Sequence, residues 1–233
     1  LSLNIYFNNK INLLNITIIN IYLICLILMS DLGKYKLVIL GEGRVGKTSL
    51  LMRYFKKIFN ENEKSTVNPA FHEKTENYKG KKYEFKFWDT AGQERYNALN
   101  AIYYQNAVGA LIVYDVTIPE TFKKVKDWVN TLREIVDKNI IFVIAGNKFD
   151  LCDKKLKEKN EEIVNDYCQK ERCQHYYTSA KTGFSVDDVF ECLIKKVLDN
   201  IEKNPDIVNK KKGRRLEIST HEDEPKQKKR KCC

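Results

Sequence analysis

The stretch GEGRVGKT at residues 41–48 has the composition and spacing of a loop that holds phosphate groups. It follows an apolar run and opens a helical pattern, so backbone N–H groups and a helix N-terminus would point at the phosphates. Lys47 would meet the β- and γ-phosphates, and the hydroxyl of Thr48 would bind Mg²⁺. The predicted contacts of this loop are Gly41, Gly43, Arg44, Val45, Gly46, Lys47, Thr48 and Ser49. A chance match in a glycine-containing turn is the alternative, and the loop alone indicates only a nucleoside triphosphate.

A second motif, WDTAGQE at residues 88–94, ends a strand pattern downstream of the phosphate loop. An aspartate at such a strand end, Asp89, is placed to hold Mg²⁺. Gly92 leaves its N–H free to approach a γ-phosphate, and Gln93 could orient an attacking water. The alternative is an ordinary strand-to-loop turn with an N-capping aspartate, which the upstream phosphate loop disfavours.

Two further tetrapeptides would choose the base. In NKFD (147–150), Asp150 can accept from guanine N1–H and its 2-amino group, whereas adenine would leave this carboxylate unpaired. Asn147 would tie neighbouring loops together, and the stem of Lys148 would lie along the base. TSAK (178–181) would supply a backbone N–H to guanine O6. The predicted nucleotide contacts in this motif are Ser179, Ala180 and Lys181. Either tetrapeptide alone could be a solvated turn, but the ordered set of four motifs predicts a guanine-nucleotide site.

The elements that must position these motifs alternate along the chain. Apolar runs at 34–40, 109–116 and 139–146 predict central strands covered on both faces, with amphipathic helical patterns between them. Two strand patterns flank Gly80, and in the second of them Tyr83, Phe85 and Phe87 face one way. A last helix carries an apolar stripe from Val186 to Ile201. This order predicts a doubly wound α/β sheet, mostly parallel, with one antiparallel strand.

With the four motifs in this order, the segment from about Lys34 to Lys203 resembles the Ras-like small GTPases and, more narrowly, the Rab family. WDTAGQERY, the downstream LNAIYY and the terminal double cysteine are similar to Rab sequences. GEGRVGKTSL, STVNPAF and HYYTSAK look nearest to the early-endosomal branch. The resemblance implies a P-loop small G domain with a six-stranded, mostly parallel sheet, one antiparallel strand and helices on both faces.

The resemblance also implies roles for single residues. Thr66 of the first switch would bind Mg²⁺ and sense the γ-phosphate, and Phe59 would pack against the guanine. Gly43 and Gln93 would be the positions most critical to hydrolysis. The implied metal ligands are Thr48, Thr66 and Asp89, and the implied catalytic residues are Lys47, Thr66 and Gln93.

Three functions are compatible with a phosphate loop. The resemblance implies a GTP/GDP switch of intracellular vesicle traffic, of the endosomal branch, with slow hydrolysis that an activating protein accelerates. An exchange factor, effectors and a prenyl-chain chaperone would be further partners, and the protein would cycle between the cytoplasm and the cytoplasmic face of endosomal or other vesicle membranes. A module that holds GTP without useful hydrolysis is disfavoured by Gly43 and Gln93, and a P-loop kinase or ATPase is disfavoured by Asp150.

Composition and charge indicate how many domains the chain has and what kind of partner it contacts. The chain has 233 residues, 43% hydrophobic and 31% charged, which suits one globular domain with tails. Its seven cysteines are scattered and form no CxxC pair, which indicates a reduced, intracellular protein without zinc. From Lys203 onward, eleven Lys or Arg stand against five Asp or Glu, so this tail carries +6 of the net charge of +10. Such a distribution favours a local electrostatic contact over nucleic-acid binding.

Both ends of the chain are expected to lie outside the folded domain. Residues 1–28 precede the first methionine, Met29, and we expect an upstream or non-native extension there, with a signal peptide or membrane span as the alternative. The GTPase domain is predicted at 29–204 and a disordered basic tail at 205–233. The ending KQKKRKCC predicts prenylation of Cys232 and Cys233 beside a basic cluster that binds anionic membrane. A solvated tail or a nuclear-localisation-like patch is the alternative.

Overall fold

The computed structural model describes residues 34–63, 66, 70–90 and 103–204. In this part of the chain, strands and helices alternate as the sequence predicts. The strands are Tyr35–Leu40 (β1), Ala70–Tyr78 (β2), Lys81–Asp89 (β3), Ala107–Asp115 (β4), Ile141–Asn147 (β5) and Gln174–Tyr177 (β6). The helices are Lys47–Lys56 (α1), Pro119–Lys123 (α2), Val125–Ile135 (α3), Lys154–Glu171 (α4) and Val186–Lys203 (α5), with a 3₁₀ turn at Phe149–Leu151.

The six described strands form one sheet in the order β2-β3-β1-β4-β5-β6. β2 pairs antiparallel with β3, and every other neighbouring pair is parallel. The predicted six-stranded sheet, mostly parallel with one antiparallel strand, is therefore confirmed. Because parallel strands end at the same edge of a sheet, the segments that follow β1, β3, β4, β5 and β6 meet there, which is where such folds bind ligands.

Helices cover both faces of the sheet, as expected. Every residue of β4 is buried, and the side chains of β1 alternate between two apolar clusters. Leu37 and Ile39 pack with residues of α1 and α5, whereas Val38 and Leu40 pack with residues of α3 and α4. The two clusters hold the central strands in place, so their carboxyl ends are rigid supports for whatever follows them.

Two details differ from the sequence pattern. The amphipathic stretch before β5 is divided at Lys124, whose N–H turns to the carbonyl of Phe122, so two helices replace one. Lys86 lies on the polar side of β3 but is buried, because its ammonium sits 3.7 Å from the centre of the Phe71 ring. A cation over an aromatic face tolerates burial that an isolated ammonium would not.

Several predictions fall on residues outside the described part of the chain: the extension at 1–28, the tail at 205–233, Gly92, Gln93, Cys232 and Cys233. Within the described ranges, none of the helices has the length and apolar character that crossing a membrane requires.

Candidate nucleotide site

A cavity of about 940 Å³ opens at the carboxyl edge of the sheet. This volume is in the range of small-molecule sites. Of the residues predicted from the motifs, those that line it are Gly43, Arg44, Gly46, Lys47, Thr48, Ser49, Phe59, Thr66, Asn147, Lys148, Asp150, Ala180 and Lys181. Four other predicted residues are buried behind the lining of the cavity: Gly41, Val45, Asp89 and Ser179. Four segments far apart in the sequence thus converge on one space.

The phosphate-loop motif has a backbone that only glycine fits at two positions. Gly41 has φ 138°, and a Cβ there would stand 2.1 Å from the carbonyl oxygen of Val113. Gly46 has φ 96°, and a Cβ would stand 2.3 Å from Nδ2 of Asn147. The loop is therefore held tightly against β4 and β5, and α1 begins at Lys47, within the motif, with its N-terminus at the cavity. A helix N-terminus attracts anions.

The ammonium of Lys47 is the main positive charge inside this loop. It donates to the carbonyl oxygens of Gly41 and Glu42, at 2.9 and 2.8 Å. Burial lowers the pKa of Lys47 to about 8. A phosphate beside the ammonium would restore the charged form, since an opposite charge offsets desolvation. Arg44 carries φ 64° and its side chain is exposed.

Three oxygen-bearing side chains meet beside the start of α1. The hydroxyl of Thr48 donates to Oδ2 of Asp89 at 2.7 Å and lies 2.7 Å from the hydroxyl of Thr66. Asp89 is 2% exposed, and burial raises the pKa of its carboxyl group, although Thr48 and Lys47 oppose the shift. Carboxylate and hydroxyl oxygens are the ligands that hard divalent cations prefer. The three residues that the resemblance implies as metal ligands are thus adjacent.

At the other end of the cavity, Asn147 connects two loops. Its Nδ2 donates to the carbonyl oxygen of Val45 at 2.9 Å, and its Oδ1 accepts from the backbone N–H of Ala180 at 3.1 Å. The hydroxyl of Ser179 donates to Oδ1 of Asp150 at 2.5 Å. Asp150 lines the cavity and is exposed to it, so this carboxylate is oriented but accessible. An oriented carboxylate can accept from two adjacent donors of a ligand.

Comparison with known proteins agrees with this geometry. A family model described as the Ras family matches residues 36–199. The Ras-related protein Rab-21 of Geodia cydonium is 42% identical over 172 residues, which cover 74% of this chain and 73% of that protein. Rab-21 of Mus musculus and of Homo sapiens are each 40% identical over 168 residues, or 72% of this chain and 75% and 74% of theirs.

This chain belongs to the Ras family.

Its relatives place it among the Rab GTPases, in the early-endosomal branch. The chain is a Rab small GTPase that binds guanine nucleotides, hydrolyses GTP to GDP and acts in endosomal vesicle trafficking. Exchange factors, activating proteins and effectors are the general classes of partner of such a GTPase.

The structure of this Rab GTPase adds supporting residues that the motifs did not reveal. Asp115, at the end of β4, is 1% exposed and pairs with the ammonium of Lys148 at 2.6 Å. Its other oxygen accepts from the N–H and hydroxyl of Thr117. Lys148 has φ 65°, so the ion pair helps to hold a left-handed residue between Asn147 and Asp150. No local pattern marks Asp115 in the sequence as part of the site.

Arg53, within α1, is a second supporting residue. Its Nε donates to the carbonyl oxygen of Ala180 at 2.7 Å, and its Nη2 donates to that of Lys181 at 2.6 Å. Its Nη1 donates to the carbonyl oxygen of Lys57, which ends the same helix, at 2.8 Å. One planar guanidinium therefore joins the end of α1 to the loop after β6, which is the fork geometry that arginine provides and lysine does not.

Replacing Arg53 by Ala should loosen the base end of the cavity without touching the nucleotide. We expect GDP to dissociate roughly tenfold faster, because a loss of about 1.4 kcal/mol of loop stabilisation is a tenfold change in an equilibrium. One hydrogen bond to a charged group contributes about 1.5–3 kcal/mol, so losing those of Arg53 can supply this amount. Release of a fluorescent GDP analogue measures the rate. Arg133→Ala is the matched control, because its guanidinium binds Glu171 at 2.6 Å and does not line the cavity. Equal dissociation from the wild type and the Arg53 variant would contradict this role.

Proposed function

We propose that this Rab GTPase works as a switch whose nucleotide occupies the cavity at the sheet edge together with Mg²⁺, and that it reaches membranes through lipids on Cys232 and Cys233. The observation that supports the first part is the convergence of Lys47, Thr48 and Asp150 on one cavity. These residues offer, in order, a cation for phosphates, a hydroxyl for a metal and a carboxylate for the base. The GTPase domain in this scheme is residues 29–204.

Selection of guanine is assigned to Asp150 and the loop that holds it. The two oxygens of the carboxylate accept from the N1–H and 2-amino groups of guanine together. The hydroxyl of Ser179 restricts the rotation of this carboxylate, and the backbone N–H of a residue in the loop 179–181 meets guanine O6. Phe59 lines the cavity and packs against the base from the side of the first switch. Adenine has neither donor, so binding it would desolvate the carboxylate without compensation.

The base preference is tested by Asp150→Asn. An amide presents an NH₂ donor, which suits the 2-oxo group of xanthine and repels the 2-amino group of guanine. We expect the dissociation constant for GDP to rise by about a hundredfold or more and that for xanthosine diphosphate to fall. Asp153→Asn, three residues on and outside the cavity lining, is the control and should bind GDP as the wild type does. Unchanged GDP affinity in the Asp150 variant would sink the assignment of the base pocket.

The metal role is assigned to Thr48, Thr66 and Asp89. The fit rests on two features of the described chain: the three oxygens are mutually adjacent, and Oδ1 of Asp89 is buried with no hydrogen-bond partner among the described residues. Mg²⁺ prefers oxygen ligands, and when bound it neutralises charge on the β- and γ-phosphates. Thr66 stands on the first switch, so its contribution makes that segment responsive to the γ-phosphate.

Thr48→Asn should separate the two nucleotides. Removing the hydroxyl weakens metal-assisted binding, and a triphosphate depends on the metal more than a diphosphate does. We expect the ratio of GTP to GDP affinity to fall by about tenfold or more, and the effect of added Mg²⁺ on GTP binding to shrink. Thr131→Asn, on the exposed side of α3, is the control. If the Thr48 variant keeps the Mg²⁺ dependence of the wild type, the metal role of Thr48 is wrong.

Hydrolysis is assigned to three groups. Lys47 holds the β- and γ-phosphates, Thr66 fixes the first switch, and Gln93 orients the attacking water. The N–H of Gly92 meets the γ-phosphate in the same arrangement. Gly43 leaves space for the attacking water, because its position in the loop carries no side chain to fill that part of the cavity.

Membrane attachment is assigned to the tail. Of the last eight residues, five are Lys or Arg and the final two are cysteines. A single modest lipid chain anchors only marginally, so two chains with a basic cluster provide the second signal that stable binding needs. A prenyl-chain chaperone is the further partner, and the cytoplasmic face of endosomal or other vesicle membranes is the site of action.

Replacing both terminal cysteines by serine tests the lipid assignment. We expect the fraction of the chain that sediments with membranes to fall severalfold in cells, while GDP binding by the purified protein stays unchanged. Cys192→Ser is the control, because that thiol lies on α5 within the folded part of the chain. A double-serine variant that stays membrane-bound to the wild-type extent would exclude lipidation at Cys232 and Cys233 as the anchor.

A further inference from the structure

The carboxyl end of α4 is closed by a specific hydrogen-bond pattern. The N–H of Cys173 donates to the carbonyl oxygen of Cys168 at 3.1 Å, and the N–H of Arg172 donates to that of Gln169 at 3.3 Å. Arg172 has φ 52°, in the left-handed region. These features define a Schellman motif, in which two nested hydrogen bonds satisfy the last carbonyls of a helix.

A Schellman motif brings together the side chains at its first and sixth positions, which here are Cys168 and Cys173. That pair is usually apolar. In this chain the two thiols hydrogen-bond to each other, and both pack against the apolar cluster on the α3 and α4 side of the sheet. Each is only partly buried, so solvent-borne reagents can reach them. Contact between two thiols at this position is therefore imposed by the end of the helix.

We propose that Cys168 and Cys173 form a modification site, a thiol pair that a hydroperoxide oxidises reversibly to an intramolecular disulfide. A disulfide requires Cα atoms no more than about 7 Å apart. The backbone hydrogen bond between the same two residues keeps their main chains in direct contact, and the thiols already face each other. Forming the disulfide replaces the contact between the two thiols with a covalent bond at the same helix end.

The order of events follows from the hydrogen bond between the thiols. The contact between the two thiols lowers the pKa of Cys168 and raises that of Cys173, so we assign Cys168 as the thiol that reacts first. The Cys168 thiolate attacks one peroxide oxygen, the O–O bond breaks, and Cys168 sulfenic acid and water result after protonation. The sulfur of Cys173 then attacks the sulfenic sulfur, the S–O bond breaks, and water leaves with the proton of Cys173. Two thiols and one hydrogen peroxide give one disulfide and two waters.

The other two described cysteines have different partners. The thiol of Cys152 donates to the carbonyl oxygen of Asp153, and the thiol of Cys192 donates to the side-chain oxygen of Gln174. They therefore serve as internal comparisons. Like the pair, both are partly buried, but their thiols donate to oxygen atoms instead of contacting another thiol.

Peptide mapping of the full-length protein with bound GDP tests the site. The protein is treated with hydrogen peroxide, the remaining thiols are alkylated, and the digest is made with trypsin. Cleavage at Lys159, Lys170, Arg172 and Lys181 puts the two cysteines on separate peptides, NEEIVNDYCQK and CQHYYTSAK. We expect these two peptides linked, two hydrogen masses lighter than their sum, and released by dithiothreitol. Cys192→Ser should keep the linked pair and Cys168→Ser should lose it.

Three results would overturn the proposal: both cysteines fully alkylated after treatment, a disulfide that joins either of them to a different cysteine, or sulfinic acid on Cys168 with Cys173 alkylated. The wild-type map decides among these without any variant, so the test holds even if a cysteine substitution impairs folding. The readout is a covalent mass and does not depend on nucleotide affinity or hydrolysis. Its failure is therefore distinguishable from failure of the proposed nucleotide roles.

Discussion

The buried side-chain amide of Asn147 joins the phosphate end of the cavity to its base end. It donates to Val45 in the loop after β1 and accepts from Ala180 in the loop after β6. Because Asn147 is 1% exposed, losing either bond would leave a buried polar group unpaired, at a cost of about 1–3 kcal/mol. The same amide explains Gly46, since a Cβ at that residue would collide with Nδ2. The side chain of Asn147 thus fixes the spacing of the two loops and requires glycine at residue 46 in one of them.

Around this connection, the site holds charges that burial disfavours. Desolvation lowers the pKa of Lys47 and raises that of Asp89, so each is displaced towards its neutral form. A phosphate next to Lys47 and a divalent cation next to Asp89 would reverse both displacements, because each would supply the missing opposite charge. Ligands that relieve such costs stabilise the folded chain by mass action. Ligand binding at the proposed site would therefore couple to stability through two buried groups.

Much of the fold and of the cavity lining could be predicted, because phosphate, metal and base contacts each need fixed residue types at fixed local spacing. Periodicity revealed five of the strands, whereas the four-residue β6 and the highly charged α4 carry too weak a pattern. The sixth strand followed only from the resemblance to small GTPases. Arg53 could not be found in this way, since it sits inside an ordinary helix and its partner Ala180 is remote in the chain. Supporting contacts depend on the packed structure and leave no local signature.

Hydrogen exchange in GDP-bound Asn147→Ala, followed by mass spectrometry, tests most directly the idea that one amide couples the two loops. We expect segments 41–48 and 178–183 to exchange faster together, by about tenfold or more, since each loses a buried hydrogen bond. Segment 109–113 of β4 should keep wild-type exchange, because it lies in the core between both apolar clusters. Faster exchange in only one of the two loops, or in neither, would contradict the account.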